Sequence, residues 1–294
     1  MEIITFDKSI GFIWYNGDFV EWQNATTHVL NHGLHYGSCV FEGLRVYGEK
    51  IYKLEEHTER LFHSASRMGI EIPFSKDHLN AAQEETIKKM NIKYGYIRPV
   101  VWRGSEMMAI SAQKNKINVA IATWEWPNYF SKEDRLKGIA LQTAEWRRPP
   151  ANTIPTDAKA AGLYMICTLS KHKAEKNGYT DALMLDYKGR VSESTGSNIF
   201  FVINGEIHTP TPDCFLNGIT RQTVIQIAEN QGIKVIVRDI YPDEITKADE
   251  IFLTGSAVEV TPVGKIDDHI FKVGNITSTI ADLYMKEVDP NYTS

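Results

Sequence analysis

The sequence predicts a two-domain α+β protein, and three observations carry that expectation. At 294 residues the chain has room for one large domain or two ordinary ones of roughly 100 to 200 residues each. Its first half alternates hairpin signals with runs of helical period. Between Pro127 and Lys137 the segment PNYFSKEDRLK loses its apolar period and gains charge, as a crossing linker does. We therefore expect a small α+β domain over 1–126, a linker over 127–137 and a larger domain over 138–294.

Taken in order, IGFIWYNGDFVEW places apolar runs on either side of Asn16-Gly17-Asp18, and Asn-Gly supplies the positive φ angles of a tight hairpin turn. FEGLRVYGEKIYKL repeats the pattern around Gly48-Glu49. In the following EEHTERLFHSASRMGI, Leu61, Ala65 and Met68 recur at helical spacing before Gly69 can end the helix. Asp77 to Met90 reads as a second helix, and YGYIRPVVWRG and INVAIATWEW as aromatic and β-branched strands. Beyond the linker, GIALQTAEW is a strand and RRPPANTIPT a loop punctuated by proline. DAKAAGLYMICTLSKHKAEKNG is expected to be helical from Asp157 to Gly178. A meander of strands follows to Pro210, with turns at Lys188-Gly189 and Asn204-Gly205. Gly218 to Gly232 is helical, KVIVRDI a strand, PDEITKADE a helix, and IFLTGS a strand ending in small residues.

Composition narrows the function classes. A 43% hydrophobic, 23% charged chain is globular rather than disordered, and a net charge of -5 gives no broad attraction for a phosphate backbone or an anionic membrane. Nucleic acid and membrane are not expected partners. Cys39, Cys167 and Cys214 are odd in number and lack a C-x-x-C spacing, which disfavours a disulfide framework or a zinc site and suits a reducing compartment. MEIITFDKSI has neither a basic nor an apolar leader region, so the expected address is the cytoplasm.

The standard phosphate loop, dinucleotide turn, nucleophile elbow and H-E-x-x-H motif are missing from the sequence. His28, His32 and His35 have the spacing of metal ligands, but Asn31 and Gly33 suggest a turn and no carboxylate or cysteine completes a set, so no metal is expected. Lys159 lies among Ala158, Ala160, Ala161 and Gly162, which would let a flat ligand approach. Desolvated near a helix start, such an amine becomes a nucleophile for a carbonyl, although on spacing alone an ordinary solvated lysine is the commoner reading. Asn217-Gly218-Ile219-Thr220 and Thr254-Gly255-Ser256-Ala257 offer backbone N–H groups to an anion, or are plain capping residues.

In this order, HYGSCVFEGLRVY, EEHTERL, YIRP, NTIPTDAKAAGLY, ESTGSNIFFV, LNGITR and TGSAVEVTPV form a pattern over residues 11–265 that resembles the class IV aminotransferases. The runs V-F-E-G-L-R and Y-I-R-P resemble the branched-chain amino acid aminotransferases among them. The resemblance implies pyridoxal 5'-phosphate as cofactor, held in a cleft between a small α+β domain and a larger one with a mixed, barrel-like sheet. It also implies branched-chain L-amino acids and 2-oxo acids as substrates, 2-oxoglutarate and glutamate included, and a homo-oligomer, either a dimer or a hexamer.

By the same resemblance, Lys159 would hold the cofactor as an imine and, once displaced, shuttle the substrate's Cα proton. Glu193 would pair with the pyridine nitrogen and Tyr164 with the ring's phenolic oxygen. Arg60, the N–H groups of Ile219 and Thr220, the Thr220 hydroxyl and Ser256 would bind the phosphate. Phe41, Tyr36 and Tyr129 would line an apolar wall, and Tyr96 with the Ser256 and Ala257 backbone would hold the α-carboxylate. Arg98 with the Tyr36 hydroxyl would meet the distal carboxylate of glutamate.

The chain departs from the family at RGSEMMAISA, where a glycine-rich loop is usual. Glu106 and Ala109 stand at glycine positions and Ala112 at a proline position. Met107 and Met108 would make a soft lining there. Asn217 likewise stands where proline is usual. The rival readings are a lyase of the aminodeoxychorismate type on the same fold, a transaminase of D-amino acids or (R)-amines, and a catalytically silent cofactor-binding protein.

Overall fold

The computed structural model describes residues 5–126 and 137–293. Contacts group these into two units. One consists of residues 5–126 with Ala158–Leu163, and the other of residues 137–157 with 164–293.

In the first unit the Asn16-Gly17 turn, with φ of 53° and 110°, joins β1 (Phe12–Tyr15) to β2 (Asp18–Glu21). A short helix, α1 (His32–Tyr36), is capped by the Asn31 side chain and stopped by Gly37 at φ 66°. Then come β3 (Cys39–Phe41), β4 (Leu44–Tyr47) and β5 (Lys50–Ile51), the last two turning through Gly48 and Glu49 at positive φ. Helix α2 (Leu54–Arg67) buries Leu54, Leu61 and Ala65 on one face and ends before Gly69. Helix α3 (Lys76–Lys89) starts on the Ser75 hydroxyl, which accepts from the His78 N–H. Strands β6 (Gly95–Arg103) and β7 (Ile117–Glu125) complete an antiparallel sheet of order β2-β1-β7-β6-β4-β5, with β3 also on β6. Along β6 the two-residue period sends Ile97, Pro99 and Val101 to the buried face, which places Tyr96, Arg98 and Val100 together on the other. Phe41 of β3 pairs with Val100, so Arg98 is its diagonal neighbour.

The second unit begins with β8 (Ile139–Arg148) and α4 (Met165–Lys176). Strands β9 (Asp181–Asp186), β10 (Val191–Ser194), β11 (Asn198–Ile203) and β12 (Glu206–Pro210) are the expected meander. Helix α5 (Ile219–Asn230), β13 (Val235–Arg238), β14 (Glu250–Gly255), β15 (Glu259–Ile266), β16 (His269–Ile270) and α6 (Asn275–Val288) follow. The sheet runs β10-β9-β8-β15-β14-β11, and a β10–β11 pairing through Glu193 and Asn198 closes it into a six-stranded ring. Ile139, Leu141, Leu183, Ile199, Phe201, Ile251, Leu253 and Val263 pack together from one face of these strands, all buried. On the opposite face Phe200 stacks on Phe252 at 4.9 Å and 4°. Each buried phenyl contributes roughly 1.5–3 kcal/mol, which makes the ring a firm platform for the residues on its rim. The barrel-like larger unit matches the fold class read from the sequence.

Two expectations are corrected, and some elements were not expected. The helix assigned from Asp157 begins only at Met165, after a 3-10 turn over Ala161–Tyr164. Ala160 bridges Val40 in β fashion and the Phe41 N–H donates to the Lys159 carbonyl at 3.1 Å, so strand contacts take the backbone that helix formation would have used. PDEITKADE forms a six-residue 3-10 helix, Pro242–Lys247. The sequence reading did not anticipate α1, β3, β15, β16 or α6, although Thr277, Ile280, Tyr284 and Val288 of α6 are buried at helical spacing.

Candidate active site

The first unit supplies an amine beside an aromatic wall. Lys159 is half-buried in an extended segment, not at a helix start, and is held at both backbone ends. Its N–H donates to the Ser64 hydroxyl at 2.9 Å and its carbonyl accepts from Phe41. The Lys159 amine lies 4.9 Å from the centre of the Phe41 ring, and the Arg98 guanidinium lies 4.6 Å from that ring. Arg98 Nη2 approaches the Tyr96 hydroxyl at 3.5 Å, while its buried Nε has no hydrogen-bond partner among the described residues. The glycine of F-E-G follows from this packing, because a Cβ on Gly43 would collide with the Tyr96 hydroxyl.

Arg60 does not stand as an isolated surface charge. Glu42, fully buried, accepts from Arg60 Nε at 2.6 Å, from Arg60 Nη2 at 2.9 Å and from His57 Nδ1 at 2.7 Å. A carboxylate can only accept, so Nδ1 of His57 carries the proton. Burial alone would raise the Glu42 pKa, but Arg60 and His57 overcome it and hold the carboxyl well below the ordinary range. Burial lowers the His57 pKa, with Arg60 and Lys159 pushing the same way against Glu42. The triad is therefore carboxylate, neutral imidazole and guanidinium, and it fixes the direction of the Arg60 fork.

Tyr36 is half-exposed on α1, its ring 4.6 Å from that of His32, and among the described residues it makes no hydrogen bond to Arg98. His32 is a packing histidine, Nδ1 on the Ser38 hydroxyl at 2.7 Å and Nε2 on the Ala109 carbonyl at 2.9 Å. The unusual loop is tied down by Glu106 and Asn115. Glu106 accepts from the Lys116 N–H at 3.1 Å, and Asn115 bonds Met107 at both N–H and carbonyl. Met107 and Met108 remain partly exposed. Tyr129 lies outside the described residues.

The second unit supplies an anion-binding rim and a buried carboxylate. Glu193 on β10 is 4% exposed, accepts from Arg148 Nη2 at Oε1, and accepts from Asn198 Nδ2 at 3.3 Å through Oε2. Burial opposes the charge on Arg148, but Glu193 holds its pKa above the ordinary value, and Cys167 and Tyr164 lie near enough to add to that. Asn198 also donates to the Leu216 carbonyl at 3.0 Å and accepts from the Gly218 N–H at 3.1 Å. A Cβ on Gly218 would strike Asn198 Oδ1, so glycine is required there. Helix α5 then starts with no side-chain cap, leaving the N–H groups of its first turn, Ile219 and Thr220, to an outside acceptor. Ser256 and Ala257 form the turn between β14 and β15, half-buried, and Tyr164 is half-buried immediately before α4.

Glu42, His57, Arg148 and Asn198 are site residues that the sequence reading missed. His57 and Arg60 are three apart on α2 and so share a face, a signal that was available. Arg148 and Glu193 are 45 residues apart and gave none. Among the described residues Asp186, Asp213 and Cys214 are close enough to share a metal ion, but Arg190 fills that position. Its guanidinium bonds Asp186 at 2.6 Å and Asp213 and Asp239 at 2.8 Å.

A fold with a closed mixed barrel, a lysine pinned beside an aromatic ring and an uncapped helix start define the class. The amino-transferase class IV family pattern matches residues 39–266, and the chain belongs to that family. Within it, the chain is 43% identical over 261 residues to the branched-chain-amino-acid aminotransferase of Pseudomonas aeruginosa, covering 87% of this chain and 85% of that one. It is 41% identical to a probable branched-chain-amino-acid aminotransferase of Rickettsia felis, over 98% of both chains. The crystal structure of a T.th. branched-chain amino acid aminotransferase with pyridoxamine 5'-phosphate superposes with a TM-score of 0.93 at 38% identity, covering 97% of this chain and 96% of that one. The Escherichia coli enzyme structure gives 0.93 at 34% identity over 97% of both.

Proposed function

We propose that the chain catalyses transamination between branched-chain L-amino acids and 2-oxoglutarate, giving branched-chain 2-oxo acids and L-glutamate. The cofactor is pyridoxal 5'-phosphate. The donor set suits it: an amine for the aldehyde, a buried carboxylate braced by Arg148 for the ring nitrogen, and unmet N–H donors at the α5 start for the phosphate. When bound, this cofactor supplies the electron sink that makes a substrate Cα proton acidic.

The chain's own residues do the rest. Lys159 would hold the cofactor through Nζ at its aldehyde carbon and, once displaced by the substrate amine, would accept the substrate Cα proton and deliver it to that cofactor carbon. Glu193 would keep a proton on the ring nitrogen. Arg60, Ile219, Thr220 and Ser256 would bind the phosphate, and Tyr164 would donate to the phenolic oxygen. Phe41 packs against an apolar side chain, Tyr96 and the Ser256–Ala257 turn hold the α-carboxylate, and Arg98 receives the second carboxylate of glutamate. Tyr36, Met107 and Met108 complete the wall.

The observation that carries this reading is the Phe41 ring flanked by the Lys159 amine at 4.9 Å and the Arg98 guanidinium at 4.6 Å. It puts a nucleophile, an apolar surface and a second cation in one place, as a pocket for both leucine and glutamate needs. We assign a homo-oligomer, because Val29, Leu34 and Ile110 of the first unit are 68%, 68% and 83% exposed and a second copy would cover them. A cytoplasmic address is supported by three free cysteines, and no helix among the described residues is long and apolar enough to cross a membrane. Visible absorbance is the test. L-leucine should discharge the yellow of the purified protein and 2-oxoglutarate restore it, whereas a colourless protein indifferent to added pyridoxal phosphate overturns the assignment.

A further inference from the structure

Arg221, on the first turn of α5, is 3% exposed. A helical side chain leans toward its own N-terminus, and this one reaches back over the residues that precede the helix. Nη1 donates to Asn217 Oδ1 at 2.8 Å, Nε to the Thr209 hydroxyl at 3.3 Å and Nη2 to the Pro210 carbonyl at 3.2 Å. All three acceptors are neutral. Among the described residues no carboxylate bonds or pairs with it, in contrast to Arg60, Arg148 and Arg190, each of which meets an acid.

A buried cation without a counter-ion is costly, and the positive end of a helix is the worst place for one. Burial accordingly lowers the Arg221 pKa to about 10. Methionine or leucine could fill such a position more cheaply, unless an anion belongs nearby. The first-turn N–H groups beside Arg221 have no cap, and the Gly218 that opens this turn is held by Asn198, which also holds Glu193.

We propose that Arg221 is the buried counter-charge of the phosphate site at the start of α5. It does not touch the phosphate. It sets a fixed positive charge behind the Ile219 and Thr220 N–H groups and, through Asn217, fixes the turn that presents them. This rests on the cofactor reading above and adds a positioning residue to it: the phosphate compensates a charge the fold otherwise leaves unpaired. The dianionic phosphate form is favoured most, because it gains twice from the same charge.

The test compares pyridoxal 5'-phosphate with pyridoxal, which lacks the phosphate, by equilibrium binding to the apo full-length chain in phosphate-free buffer. Arg221→Met should weaken pyridoxal phosphate about 10- to 100-fold while leaving pyridoxal within a factor of about three. Arg221→Lys, which keeps the charge, should recover most of that difference. Arg221→Gln is the second neutral variant should the methionine chain fail to fold. Equal losses for the two ligands, no loss for either, or a lysine variant as poor as the neutral ones would each overturn the proposal. A wild-type chain that binds neither ligand would instead remove the cofactor reading itself, and the inference with it.

Discussion

Asn198 and Glu193 face each other across the β10–β11 closure, paired in register and joined by a 3.3 Å hydrogen bond from the amide to the carboxylate. The same amide accepts from the Gly218 N–H, so one side chain sets the spacing between the carboxylate and the start of α5. A rigid ligand with a ring nitrogen at one end and a phosphate at the other requires such a ruler.

Asn198→Ala should therefore lower both thermal stability and cofactor affinity, at about 1–3 kcal/mol for the buried groups left unmet. Asn198→Asp keeps an acceptor for Gly218 but sets a like charge beside Glu193, and should bind the cofactor more weakly still. Equilibrium dialysis and thermal melts of the two variants decide this. An Asp variant equal to wild type in both would show that Asn198 is packing alone.

Lys159→Ala should lose turnover by several orders of magnitude, since proton transfer alone contributes roughly 100 to 10,000-fold. The phosphate donors and Glu193 remain, so the variant should still retain cofactor after gel filtration. Near-native single-turnover rates would place the chemistry on another lysine.

Arg98→Leu separates the two half-reactions. Leucine, isoleucine and valine offer nothing to a guanidinium, whereas glutamate would lose one charge-assisted contact, about 1.5–3 kcal/mol, or about 10 to 150-fold in kcat/KM. Stopped-flow rates with each amino acid read the difference directly. An equal fall for both would make Arg98 a brace for Phe41 and Tyr96.

The Glu42–His57–Arg60 triad predicts an acid-sensitive first unit. The folded pKa of His57 is below its unfolded value of roughly 6.5, so the stability it contributes is present above that pH and is lost as pH falls below it. Glu42, also depressed, adds a second loss that begins only below the unfolded carboxylate value of roughly 4.3. Melting temperature should thus decline in two stages, and His57→Gln should abolish the upper one. A wild-type melting temperature flat between pH 7 and 5 would refute the neutral imidazole.

What the sequence made legible was local. Asn16-Gly17 and Gly48-Glu49 fixed two hairpins because positive φ has few occupants, and Gly69 fixed a helix end for the same reason. The residues around Lys159 were misread because alanines in series favour a helix by propensity, whereas a bridge from Ala160 to Val40 decided otherwise. Lys159, Phe41 and Arg98 were nameable from motif resemblance, and the structure brings these three together. The partners that orient charges were not legible. Glu42, inside the F-E-G-L-R run, carried no signal of its partners, and the Arg148 that braces Glu193 comes from a strand on the far side of the loop and helix.

The six residues Ala158–Leu163 group with the first unit although the chain on both sides of them groups with the second. A gene cut anywhere in the loop 149–157 would thus part Lys159 from Phe41 and Ser64, the residues that grip its backbone. Neither fragment could carry the reactive amine in its native setting. Activity would return only on complementation between the two halves, which makes this loop a natural seam for a split reporter and a poor place for a domain swap.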